Sequence, residues 1–222
     1  MSRRESPRRE GVRVLALAGS LRRGSLNRRL LQAAAALAPT GMEVAIYEGL
    51  ADVPLFDEDL EQATGGGPEA VHRLRAAVVG ADAVLISTPE YNQSIPGGLK
   101  NALDWLSREA ADSELAPNFA SVLAPVLQGV LAPAYKAVLA PVLQGKPVAV
   151  VGVTAGRWGT RLAQAALRQV LLAMDARLLT APNLYAADGA RLFDTDGRLT
   201  HAPTAATLRA VLARLAELIE RR

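Results

Sequence analysis

Four short runs in this chain are apolar almost from end to end: residues 12–18 (VRVLALA), 43–47 (EVAIY), 82–87 (DAVLIS) and 147–153 (PVAVVGV). A strand with one face in water alternates apolar and polar residues, whereas a strand covered on both faces does not. Longer stretches with apolar residues at helical spacing lie between and after these runs, at 26–38, 68–79, 99–107, 161–174 and 204–221. In the last of them Leu208, Leu212, Leu215 and Ile219 fall on one face. A short run at 177–180 supplies a fifth strand. Strands alternating with helices and buried on both sides require a parallel sheet with right-handed crossovers. The expected fold is therefore α/β: a three-layer, doubly wound, five-stranded parallel sheet. Such sheets bind ligands beyond the carboxyl ends of their strands, near the switch in strand order.

The chain has 222 residues, a length that suits one domain over residues 12–222. Aromatic residues make up only 4%, so the core must be built of Val, Leu, Ala and Ile. Without cysteine there are no disulfides, thiolate metal sites or thiol nucleophiles, and no reason to place the protein in an oxidising compartment. Residues 1–11 form a basic arm with no apolar run of the kind a signal peptide carries. It reads as a disordered arm rather than a nucleic-acid or membrane contact. No segment approaches the ~20 apolar residues of a membrane span. No nucleic-acid partner, membrane contact or metal site is expected, and the expected location is cytoplasmic. One segment breaks the rhythm. VLAP recurs at 122–125, 130–133 and 138–141, which marks an inserted, repeat-containing connection at about 109–145. Lengthening a surface loop costs little, so the insertion reads as tolerated rather than functional.

The loops after the first, third and fourth strands are where chemistry is expected. After the first come Gly19, Ser20, Arg22, Ser25 and Asn27. Unpaired N–H groups at a helix start favour an anion, and hydroxyl, amide and guanidinium groups add donors suited to one terminal phosphate. An ordinary Ser/Asn helix cap is the alternative. The nucleotide-hydrolysing and dinucleotide glycine motifs are both missing here. After the third strand the segment Thr88–Gly98, TPEYNQSIPGG, makes a rigid bend. Tyr91 and Asn92 could give a flat heteroaromatic ring its apolar face and polar edge, unless this is only a proline-bounded turn. After the fourth strand Thr154 and Gly156 lie in a glycine loop whose backbone could come close to a ligand, with a glycine turn capping the next helix as the equal alternative. His72 and His201 read as helix and loop surface.

Together these loops resemble the NAD(P)H-dependent FMN reductase family of flavodoxin-like proteins, relatives of the quinone, azo-dye and chromate reductases. The match runs G-S-x-R-x-x-S-x-N from Gly19 to Asn27 and T-P-E-Y-N-x-S-x-P-G-x-L-K-N-x-x-D-W from Thr88 to Trp105. It is looser at Thr154, Gly156 and Gly159, and it departs at Gln93, Arg157 and Trp158. The resemblance implies bound FMN held by Ser20, Arg22, Ser25, Asn27, Pro89, Glu90, Tyr91, Asn92, Thr154 and Gly156. It also implies hydride transfer from NADPH in preference to NADH, then electrons passed to a quinone, flavin, azo compound or metal oxyanion. The flavin would do the hydride chemistry, with no side-chain acid or base in that step. A homodimer or homotetramer is implied too. The alternative is a non-enzymatic, flavodoxin-type FMN electron carrier, though carriers of that kind tend to be acidic and this chain is slightly basic.

Overall fold

The strand runs form one sheet, and its centre is apolar on both faces. In the computed structural model, which describes residues 11–108 and 141–221, β1 spans Val12–Ala18 and β2 Met42–Ile46. Strand β3 spans Ala83–Ser87, β4 Pro147–Val153, β5 Arg177–Leu178 and β6 Leu184–Ala186. All pairings are parallel, in the order β2-β1-β3-β4-β5, and β6 also pairs with β4. The basic arm and nearly all of the VLAP repeats lie outside the described residues.

Alternate residues of β1 enter two separate cores. Val14, Ala16 and Ala18 pack with helix α1 (Leu26–Ala36) and helix α6 (Ala202–Glu220) through Leu30, Leu31, Leu208 and Leu212. Leu15 and Leu17 pack on the other face with α3 (Glu69–Gly80), α4 (Gly97–Ser107) and α5 (Arg161–Ala173) through Val71, Leu74, Leu103 and Leu167. Burial of each such leucine contributes about 1.5–3 kcal/mol, so double-sided coverage explains why these strands have no polar face.

Two elements differ from the sequence expectation. The expected single fifth strand is split. Strand β5 pairs with Pro147 and Val148, and β6 takes over beside Val151, Gly152 and Val153, so one sheet position is filled by two short segments. Pro182 lies between them and has no N–H to continue a ladder. The polar stretch after β2, to which the sequence assigned no element, contains a 3-10 turn at Gly49–Asp52 and a short helix, α2 (Glu58–Ala63). Asp57 starts α2 by accepting N–H bonds from Asp59 (2.8 Å) and Leu60 (3.4 Å).

Asn101 and Trp105, both in the second sequence block, hold this connection down. Asn101 accepts from the Phe56 N–H at 2.7 Å and donates to the Pro54 carbonyl at 2.8 Å, where the Trp105 indole N–H also donates at 2.8 Å. Arg75 is buried and donates to the carbonyls of Gly66 and Trp105, both at 2.9 Å, while burial pushes its pKa down. Among the described residues, no helix is long and apolar enough to cross a membrane.

Candidate functional site

The order β2-β1-β3 places the turn after β1 directly beside the turn after β3, at the switch point of the sheet. The Gly19 N–H donates to the Ser87 carbonyl at 2.8 Å, so the two turns leave the sheet side by side. One residue further along the first turn and four along the second, the Ser20 and Tyr91 hydroxyls meet at 3.2 Å. The serine-arginine turn therefore faces the tyrosine-asparagine bend.

In the first turn Ser25 caps α1, its hydroxyl accepting from the Arg28 N–H at 3.2 Å. The cap reading is correct for Ser25, and the other N–H groups of a helix's first turn have no partner within the helix. Arg22 and Arg23 are exposed, and no ion pair joins either to another described residue. A cavity of about 370 Å³ opens beside this turn, lined by Ser20, Arg22, Arg23, Arg28, Tyr47 and Glu48 among others. Neither the Tyr91 bend nor the loop after β4 lines it, so the cavity lies on the β2 side of the turn. Arg28 is bonded there to Glu48, which raises the arginine's pKa and lowers the carboxyl's.

Asn27 is 2% exposed and turned inward. Its oxygen accepts from the Val153 N–H at 3.0 Å and the Ser87 hydroxyl at 2.8 Å; its amide nitrogen donates to the Val153 carbonyl at 2.9 Å. One side chain thus pins the start of α1 to the ends of β3 and β4.

The bend after β3 is a two-residue turn. Tyr91 and Ser94 exchange N–H bonds at 3.0 Å, and Asn92 and Gln93 between them have φ of 49° and 63°. Both central residues are left-handed, as a hairpin turn of this twist requires. Asparagine tolerates that region well; glutamine does not, and glycine is the usual occupant of the second place. Pro89 is buried beneath the bend, while Tyr91 and Asn92 are exposed.

Glu90 turns away toward α5, its Oε2 accepting the N–H groups of Leu162 (2.9 Å) and Ala163 (3.0 Å). Thr154 and Gly156 lie in the loop after β4, fastened to the segment behind β6. The Gly189 N–H donates to the Thr154 carbonyl at 2.9 Å, and the Asp188 N–H to that of Gly156 at 3.0 Å. Trp158 stands 73% exposed at the tip, with the Arg157 guanidinium 5.1 Å from its ring. At the base, a Cβ on Gly152 would lie 2.1 Å from the Thr160 hydroxyl and 2.5 Å from the Thr88 carbonyl, so only glycine lets the second and third loops approach so closely.

A doubly wound parallel sheet with a donor-rich turn and a rigid exposed bend at its switch point is a flavodoxin-like architecture. Residues 12–190 match the model of the NADPH-dependent FMN reductase family. An NAD(P)H-dependent FMN reductase of Pseudomonas aeruginosa is 36% identical over 190 residues, covering 86% of this chain and 85% of the relative. A quinone reductase of Escherichia coli K12 is 38% identical over 173 residues, covering 78% and 76%. Among solved structures, FerB, a flavoenzyme NAD(P)H:(acceptor) oxidoreductase from Paracoccus denitrificans, aligns with a TM-score of 0.74 and 31% identity over 95% of this chain and 98% of that one. The chain belongs to the NADPH-dependent FMN reductase family, and it is an oxidoreductase.

The residues present suit FMN. Serine hydroxyls, the exposed Arg22 and the N-terminus of α1 offer donors for a phosphate. The crevice rim offers an aromatic side chain and open backbone for a ring.

Proposed function

We propose that this protein oxidises NADPH and delivers the electron pair to a quinone, with FMN held across the loops after β1, β3 and β4. The hydride and electron chemistry belongs to FMN itself. The overall balance is NADPH, a proton and a quinone giving NADP⁺ and a quinol.

This chain binds and orients. Ser20, Arg22 and Ser25 take the phosphate end at the start of α1; Pro89, Tyr91 and Asn92 support the ring; and Thr154 and Gly156 approach its pyrimidine edge. The observation that carries this reading is the direct contact between the first turn and the bend, through Gly19–Ser87 and Ser20–Tyr91, which puts phosphate donors beside the exposed Tyr91–Asn92 bend. Quinones are favoured as acceptors by the names of the relatives at 36–38% identity.

Preference for NADPH over NADH is supported by Arg23, exposed and free of ion pairing within the described residues, beside Arg22 on the cavity wall. Arg157 is the less suited candidate because its guanidinium rests on Trp158. The test is steady-state oxidation of NADPH and NADH with menadione as acceptor. The wild type should turn over, and Arg23→Ala should lower kcat/KM for NADPH by ~10-fold while leaving NADH nearly unchanged. No turnover with either nucleotide would refute the proposal, and equal losses would remove Arg23 from it.

A homodimer or homotetramer belongs to the same proposal, supported by Leu21, Tyr91, Trp158 and Leu162 standing exposed around the crevice. A monomer in analytical ultracentrifugation would remove that part.

A further inference from the structure

Helix α5 begins without a cap of its own. Thr160 sits in the capping position, but its hydroxyl makes no capping bond. That hydroxyl instead accepts from the Gln164 amide at 2.9 Å and packs against Gly152. The N–H groups of the first turn are therefore left for another partner. The carboxylate of Glu90, 72 residues earlier in the chain, accepts two of them, from Leu162 and Ala163. A carboxylate at a helix N-terminus gains from both the charge-assisted bonds and the helix dipole.

The location of this bond gives it a consequence. Glu90 stands between Pro89 and Tyr91, in the bend after β3. Leu162 and Ala163 directly follow the loop after β4. The two loops already touch at their base, where Gly152 lies under the Thr88 carbonyl and Thr160. The Glu90 bond closes the same pair of loops a second time, further from the sheet. Two attachments at different heights fix both the distance and the tilt between two walls, whereas one attachment leaves a hinge.

We propose that Glu90 is a positioning residue. Its carboxylate is spent on α5 rather than on a ligand, and by capping α5 it presets the gap between the Tyr91–Asn92 bend and the Thr154–Gly156 loop that receives the flavin ring. Any contact to FMN from this position is left to its backbone, because the side chain is bonded across the site. The inference rests on the proposed FMN site and adds a claim about what holds that site open.

The test compares Glu90→Ala and Glu90→Gln with the wild type, using FMN dissociation constants from quenching of flavin fluorescence. Amide hydrogen exchange at Leu162 and Ala163 is measured in parallel on FMN-free protein. Glu90→Ala should weaken FMN by at least ~10-fold and speed exchange at both amides, because two charge-assisted bonds are lost. Glu90→Gln keeps an acceptor oxygen at the same reach and should restore FMN affinity to within ~3-fold of wild type. A residue of merely structural value would lower the melting temperature of Glu90→Ala without moving the FMN constant. Unchanged affinity in Glu90→Ala would overturn the proposal. Equal loss of FMN affinity in both variants, with exchange at Leu162 and Ala163 unchanged in Glu90→Gln, would also overturn it, because binding would then fall while the cap stayed intact. Should the alanine variant fail to fold, Glu90→Asp, one methylene shorter, replaces it with the same expected loss and the same overturning result. If the wild type binds no FMN, the proposed function fails. The exchange rates then still decide whether Glu90 caps α5.

Discussion

The loops after β3 and β4 meet at Gly152 and again through Glu90, yet they are built in opposite ways. The first is stiff throughout: a buried proline, a two-residue turn closed by reciprocal bonds, and a glutamate anchored on α5. The second is fastened only at its ends, to Asp188 and Gly189 on one side and at the start of α5 on the other. Its tip carries Arg157 and the exposed Trp158, both departures from the family pattern. The difference suggests a division of labour. A fixed wall can hold a rigid ring in one pose, while a wall with a free tip can vary what enters beside it.

The largest effect on this comparison should come from Asn27, which holds the roots of both loops. Asn27→Ala strands the Val153 N–H and carbonyl in the interior and should cost about 3 kcal/mol in denaturant unfolding. A loss below about 1 kcal/mol would mean that the loops do not share this anchor. A smaller effect of opposite sign should sharpen the contrast at the stiff loop. Gln93 occupies the left-handed region at φ 63°, so Gln93→Gly should relieve strain and stabilise the protein by about 0.5 kcal/mol. A fall in melting temperature would show that the glutamine side chain earns its place through a contact rather than being tolerated there.

The central sheet was legible because burial on both faces writes itself into a strand as an unbroken apolar run; β1, β3 and β4 all carry that mark. The last sheet position was misread as one strand because it depends on where the chain pairs with β4 on either side of Pro182, and a two-residue strand has too little pattern to show. Helix α2 was missed although Asp57 followed by an acidic turn is a start signal, since six residues are too few to show a period.

Within the site, the residue types that suit a phosphate and a ring could be read from the three turns. The separation between residues that face the crevice and residues that brace it could not. Asn27 and Glu90 reach partners 126 and 72 residues away, and such pairs leave no local trace. Trp105 could be read only as the end of the second motif, and its bond to Pro54 ties down a connection to which the sequence assigned no element.

The most direct test of the account is an FMN titration of purified protein freed of ligand, followed by flavin absorbance and repeated with Arg22→Ala. The account predicts saturable, stoichiometric binding by the wild type and release of the flavin from the variant on dialysis. A wild-type chain that takes up no FMN, or a variant that keeps its yellow colour, would contradict a phosphate gripped at the start of α1.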